Sequence, residues 1–321
     1  QNFLYQIRAQ LSFLKSKKLI WTRVIIMTAK DKYRNLCETE STIPIFSKAW
    51  WLDAVCGEDK WDVCIVEKGG MIHAAMPFYM PKSRVITMPP LTQALGPWLR
   101  PSKAKYANML SEQKEMMTLL ISQLPPFNSF HQNFHYSITN WLPFYWKGFQ
   151  QTTRYTYTIE NLLDLKEVLS RFKDNMRNKI NKARKIVSVT DEGSVEEFYA
   201  LNKKTFERQG LNIPYSLNFI IQKDRILADR GCRKIFFAVD NEGHIHSALY
   251  LIWDGLSSYV HMVGEDPFLR KSGAGILLIY ESIKFTRDFL GLDCYDFEGS
   301  MIESVEEVRR GSSLVGPHRD D

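Results

Sequence analysis

Between Ser257 and Gly299 the chain changes its hydrophobic period twice. "SSYVHMVG" alternates like a strand. "FLRKSGAGILLIY" then passes through two glycines into an apolar helix reaching Leu290, and "LDCYDFEG" alternates again. Strand, glycine turn, helix and strand in that order call for a helix laid on a sheet.

The upstream sequence fits the same plan. "WDVCIVEKGG" and "MIHAAMPFYMP" read as two strands joined at Gly69-Gly70, and "SRVITMPPL" as a third. "IPIFSKAWWLDAVCG" reads as a helix with Ser47 as its N-cap. "SEQKEMMTLLISQL" is amphipathic, with Met116, Leu119, Leu120 and Leu124 on the apolar side. "SFHQNFHYSI" and "RYTYTIE" read as strands, and residues 161–186 as a strong helical stretch. Two further helices follow, "SVEEFYALNKKTFERQG" closed by Gly210 and "SLNFIIQKDRILADRG". The strands "RKIFFAVD" and "HIHSALYLIWD" come next, with turns at Asn241-Glu242-Gly243 and Gly255. The pattern is α+β, a mixed sheet flanked by helices, used twice.

Length supports two domains of ordinary size, since 321 residues exceed one small unit. No apolar run approaches the roughly 20 residues of a membrane helix. The net charge of +6 equals the six Lys and Arg of residues 1–30, where no acid stands, so the body of the chain is balanced. That is weak support for nucleic-acid binding. Leu4, Ile7, Leu11 and Leu14 share a helical face, which suits a basic helix lying on a membrane surface; the competing reading makes residues 1–26 sequence outside the native domain. The five cysteines form no CxxC pair and no framework. They read as reduced thiols of a cytoplasmic protein, and with the seven His they offer no metal-ligand spacing, so no metal is expected.

The turn Arg270-Lys271-Ser272-Gly273-Ala274-Gly275 opens a helix. There the first N–H groups lack internal partners and the dipole is positive, which suits phosphate. Gly273 and Gly275 would let the backbone approach a pyrophosphate, with Arg270 and Lys271 adding charge. The dinucleotide fingerprint is absent, because its third glycine would fall at Leu278.

The spacing RxxGxG after a strand resembles the coenzyme-A loop of the GNAT superfamily of N-acyltransferases. "IPIFSKAWWLDAV", "PPLTQALGPW", "NWLPFYWKGF", "RNKINKARK" and "YDFEGSM" are similar to a bacterial family of two tandem GNAT-like halves, related to the Fem-type peptidoglycan aminoacyltransferases. The likeness runs from about Ile43 to Glu307 and fails at both ends; related proteins continue with an aromatic-containing strand where "VRRGSSLVGPHRDD" stands. The resemblance implies a first GNAT-like domain over 43–158, without catalysis, and a second over 159–307 holding the acyl donor. An N-terminal extension covers 1–42, and 308–321 is a tail.

It implies a cytoplasmic transferase that moves an acyl group from acetyl-CoA or another acyl-CoA, as co-substrate, to an amine acceptor. No cofactor is tightly bound. A general base must deprotonate the amine and a backbone N–H must meet the oxyanion. Glu298 is the first candidate for base, His261 the second, and Tyr259 a candidate proton donor. Met262 and Val263 stand where donor contacts would lie, ahead of Arg270, Lys271, Ser272, Gly273, Ala274 and Gly275. Gln93 is a candidate for the acceptor groove. Arg177 and Lys182 belong to a segment, Arg171–Lys185, with seven basic residues against Asp174. That segment suits a polyanion and so the alternative, aminoacyl transfer from aminoacyl-tRNA to a peptidoglycan precursor. A third alternative is a GNAT-like pair that binds without catalysing. The acceptor and the oligomeric state stay open.

Overall fold

The computed structural model describes residues 27–299. The readings made for residues 1–26, for "MIESVEE" and for the tail lie outside the described residues.

Ala29–Thr39 (α1) starts at a capping box in which Thr28 and Asp31 satisfy each other's backbone N–H groups. Its Tyr33 is fully buried and donates its hydroxyl to Ser47 O at 2.6 Å. That contact holds Ser47 inside a short 3-10 turn. The next helix, Ala49–Cys56 (α2), is preceded by Lys48 and has no side-chain cap, so Ser47 is not the N-cap expected. Trp61–Lys68 (β1) and Met71–Lys82 (β2) pair antiparallel across Gly69-Gly70, as the alternation predicts. Val85–Thr87 (β3) and Trp98–Leu99 (β4) both pair with β2. Tyr106–Ser122 (α3) carries the chain to Ser129–Phe130 (β5), which runs parallel to β3. The buried face of α3 is Met116, Met117 and Leu120, while Leu119 is exposed. The strand expected over "SFHQNFHYSI" is reduced to β5 at its start and an isolated bridge from Phe134 to Leu95. Beyond it the His135 ring accepts the Ser137 N–H at 3.2 Å and turns the chain.

After Leu142–Trp146 (α4), the short strand Thr158–Glu160 (β6) opens the second unit's sheet. The helical stretch expected over 161–186 is two helices, Leu165–Ser170 (α5) and Asp174–Ala183 (α6), parted where Lys173 takes an extended backbone (φ -57°, ψ 146°) next to Phe172, which packs against the core. Val187–Thr190 (β7), Val195–Arg208 (α7), Leu217–Asp229 (α8), Arg233–Asp240 (β8), Ile245–Trp253 (β9), Ser258–Glu265 (β10), Ala274–Asp288 (α9) and Cys294–Asp296 (β11) follow. The sheet order is β6-β11-β10-β9-β8-β7, and β10 and β11 are parallel.

The two sheets repeat one design. In each, an antiparallel run of three strands (β1-β2-β3, β8-β9-β10) is followed by a helix and a strand parallel to the third. They differ at the outer edge. β11 is flanked by β6, whereas β5 has no strand outside it among the described residues. A cavity of about 760 Å3, lined in part by Phe130, Gln132, Phe144, Phe149 and Arg154, opens there.

One buried cluster joins the units. Phe46 and Trp51 from the first pack with Tyr250 and Tyr259 from the second. The Phe46 and Tyr259 rings lie 5.3 Å apart, and Ile45 N–H donates to Asp254 Oδ2 at 2.8 Å. Each such ring contributes about 1.5–3 kcal/mol on burial, so the units stabilise one another directly.

Candidate active site

The expected glycine loop is present, with its two glycines in different settings. Arg270–Ser272 form a 3-10 turn, Gly273 takes φ 79°, and α9 begins at Ala274. A Cβ on Gly273 would stand 3.2 Å from Lys179 O, so this glycine is required by the left-handed backbone and by the closeness of α6. That is a reason independent of the expected one, approach of a phosphate. A Cβ on Gly275 would meet only Glu265 Oε1 at 3.5 Å and Ser247 Oγ at 3.6 Å, ordinary contacts. Ala274 N–H donates to Ser272 Oγ at 3.3 Å. Arg270 is ion-paired with Glu265, while Lys271 is exposed.

β10 and β11 pair only at Ser258↔Tyr295 and Tyr259↔Asp296, and then part. Just past the parting, β10 bulges between Val260 and Met262, leaving His261 outside the ladder to β9. Its ring is buried among Trp51, Tyr250 and Phe46, at 5.4, 6.2 and 6.1 Å between centroids. Glu298 meets it there. Glu298 Oε1 lies 3.0 Å and Oε2 3.1 Å from His261 Nδ1. Glu298 holds φ 58°, a left-handed conformation costing a non-glycine residue on the order of 1 kcal/mol. Its N–H donates to Asp296 Oδ1 at 2.7 Å, which fixes the turn.

Lys223, on α8, completes the group and was not singled out in the sequence, where it looks like one more polar residue of an amphipathic helix. Its side chain is 0% exposed, and its Nζ has no hydrogen-bond partner among the described residues. Nζ lies 5.0 Å from the Tyr250 ring centroid and 5.8 Å from that of Trp51. Burial pulls the Lys223 ammonium down to about 7, against the opposing pull of Glu298 and Asp224. Burial raises the Glu298 carboxyl well above the usual range, with Lys223 opposing it. Burial, then the Lys223 charge, holds His261 well below its ordinary value, so the ring stays neutral.

The other expected residues are more scattered. Tyr259 is buried, and its hydroxyl is committed to Asp254 Oδ2 at 3.0 Å rather than to the His261–Glu298 pair. Met262 is buried. Val263 is partly exposed, and its carbonyl accepts from Asn202 Nδ2 at 2.8 Å. Gln93, from the first unit, is brought to the site: its Nε2 would lie 2.5 Å from a Cβ on Gly299, next to Glu298. Lys182 Nζ donates to Lys271 O at 2.9 Å, tying α6 to the loop. Arg177 bonds Ser170 O at 2.9 Å and pairs with Asp174, so it serves its own helix region.

The acetyltransferase (GNAT) domain family matches residues 170–302, a span that contains Lys223, His261, the glycine loop and Glu298. The crystal structure of FemX is similar in fold, with a TM-score of 0.62 at 13% identity, covering 88% of this chain and 90% of that one. A conserved protein of unknown function from Bacteroides thetaiotaomicron is similar with a TM-score of 0.51 at 11% identity, covering 87% and 91%. No curated protein matches the chain. Residues 170–302 thus match the acetyltransferase (GNAT) domain family, and the fold of the chain as a whole is similar to that of FemX.

Proposed function

We propose that the protein transfers an acyl group from acyl-coenzyme A to a primary amine, with Glu298 as the base and His261 orienting it. One observation supports this: the candidate base and the candidate phosphate site lie beside two positions of the same strand, β10. The His261–Glu298 pair sits at its bulge, and the helix N-terminus of α9 at its far end beside Glu265. Four residues of strand separate them, roughly 13 Å, a spacing that suits a donor whose thioester and phosphates are joined by an extended arm. The amine nitrogen would attack the thioester carbon, its proton would pass to Glu298, and the C–S bond would break to release the thiol. A backbone N–H at the bulge would meet the oxyanion.

Calorimetry with acetyl-coenzyme A tests the donor. Gly275→Glu adds a carboxylate at the helix start, where a Cβ makes only ordinary contacts, and should weaken binding at least about tenfold while the fold persists. Gly273→Glu is a poor control, because strain and the Lys179 main chain make it destabilising in itself. The second reading is aminoacyl transfer from tRNA, possible acceptors including a peptidoglycan precursor. The closeness of the basic helix α6 to Gly273 favours it. A folded protein that ignores acetyl-coenzyme A would exclude the first reading in favour of the second.

A further inference from the structure

A lysine in the place of Lys223 costs stability that a methionine of similar length would not, because it takes an amine out of water without a hydrogen bond in return. The groups around it show what its charge acts on. α2 contributes Trp51 and β9 contributes Tyr250, both presenting ring faces. Asp224, on the same helix, is already held by Arg233 Nε at 2.9 Å and by the Tyr250 hydroxyl at 2.7 Å. Asp296, beyond Glu298, is held by the Thr156 hydroxyl at 2.6 Å and the Glu298 N–H. The remaining groups are His261 on β10 and Glu298 after β11. Of these carboxylates Glu298 is the one with neither an arginine nor a hydroxyl partner, its side chain meeting the His261 ring alone among the described residues.

We propose that Lys223 is a positioning residue that keeps Glu298 ionised and thereby holds His261 in the tautomer with its proton on Nδ1. An ionised carboxylate can only accept, so the His261 nitrogen facing it must donate. A neutral Glu298 would instead donate its O–H to Nδ1 and move the ring proton to Nε2. The charge on Glu298 and the His261 tautomer are thus one variable. In a dry aromatic box a lone carboxylate takes up a proton, and a nearby ammonium opposes this. The inference rests on the proposed function only in giving Glu298 the role of base.

Nitrogen-15 spectra of histidine-labelled protein at pH 6 read the tautomer directly, with His261 assigned by the signals lost in His261→Gln. Wild type should show the Nδ1–H form. Lys223→Met should show the Nε2–H form, and Lys223→Arg, which keeps the charge, should restore Nδ1–H. In acyl transfer, Lys223→Met should move the acid limb of the pH profile up by at least about one unit. An Nε2–H ring in wild type, or the same tautomer in wild type and Lys223→Met, would overturn the proposal. If Lys223→Met does not fold, Lys223→Gln makes the same comparison, and an Nε2–H ring in wild type alone still decides against the proposal. Failure to bind acetyl-coenzyme A would sink the donor assignment and leave this result standing.

Discussion

Glu298→Gln should lower acyl transfer by about 10²–10⁴-fold, the range that loss of a positioned general base produces. The assay is release of coenzyme-A thiol from acetyl-coenzyme A, with glucosamine, an alanyl dipeptide and putrescine as trial amines. Glutamine keeps the size of the side chain and can donate to His261 Nδ1, so the fold and the binding of acetyl-coenzyme A should survive. The pH profile adds a second signature. Burial raises the Glu298 carboxyl well above the usual range, and only its ionised form accepts a proton. The wild-type rate should therefore fall as pH drops through that raised value, and Glu298→Gln should lack this limb. His261, held well below its ordinary value, stays neutral over the same interval and adds no limb of its own. An unchanged rate in Glu298→Gln would remove it from the chemistry.

The stability of the wild type should carry a contribution from Lys223 that rises with pH between about 7 and 9. The Lys223 ammonium is at about 7 in the folded chain, and a lysine in water titrates near 10.4. Across that interval the unfolded chain binds a proton that the folded chain does not, so stability increases with pH. Each unit is worth about 1.4 kcal/mol, which gives on the order of 2–3 kcal/mol over the window. Below pH 7 both states carry the proton and the slope vanishes. Urea denaturation of Glu298→Gln and of Glu298→Gln/Lys223→Met at several pH values isolates the effect, since the carboxyl on which Lys223 acts is then absent from both. Parallel profiles would show that Lys223 is charged throughout.

Much of the frame could be read from the chain because it rests on local signals. Gly69-Gly70 marks a hairpin and the period-2 runs of β8, β9 and β10 are long, so these elements lie where expected. The short strands were less legible: β5 and β11 are held by pairing and by the helices over them, not by their own alternation. Glu298 and His261 could be named as candidates, but their contact joins residues 37 apart through a bulge and a strained turn, which no spacing reveals. Lys223 was missed for a similar reason. Along α8 it sits among Gln222, Asp224 and Arg225, and only the packing of α2 and β9 against that side makes it interior. The packing of Gly273 against Lys179 was not legible either, because Lys179 is remote in sequence.

The cluster joining the two units has a consequence for how the chain is made. Ile45 and its partner Asp254 are 209 residues apart. At about 5–20 residues per second, a ribosome supplies that partner roughly 10–40 s later. Phe46 and Trp51 emerge early and must wait for Tyr250 and Tyr259 before their shared core can close. Through that delay the nascent chain presents aromatic surface, so its yield in a cell should depend on helpers that cover such surface until the second half arrives.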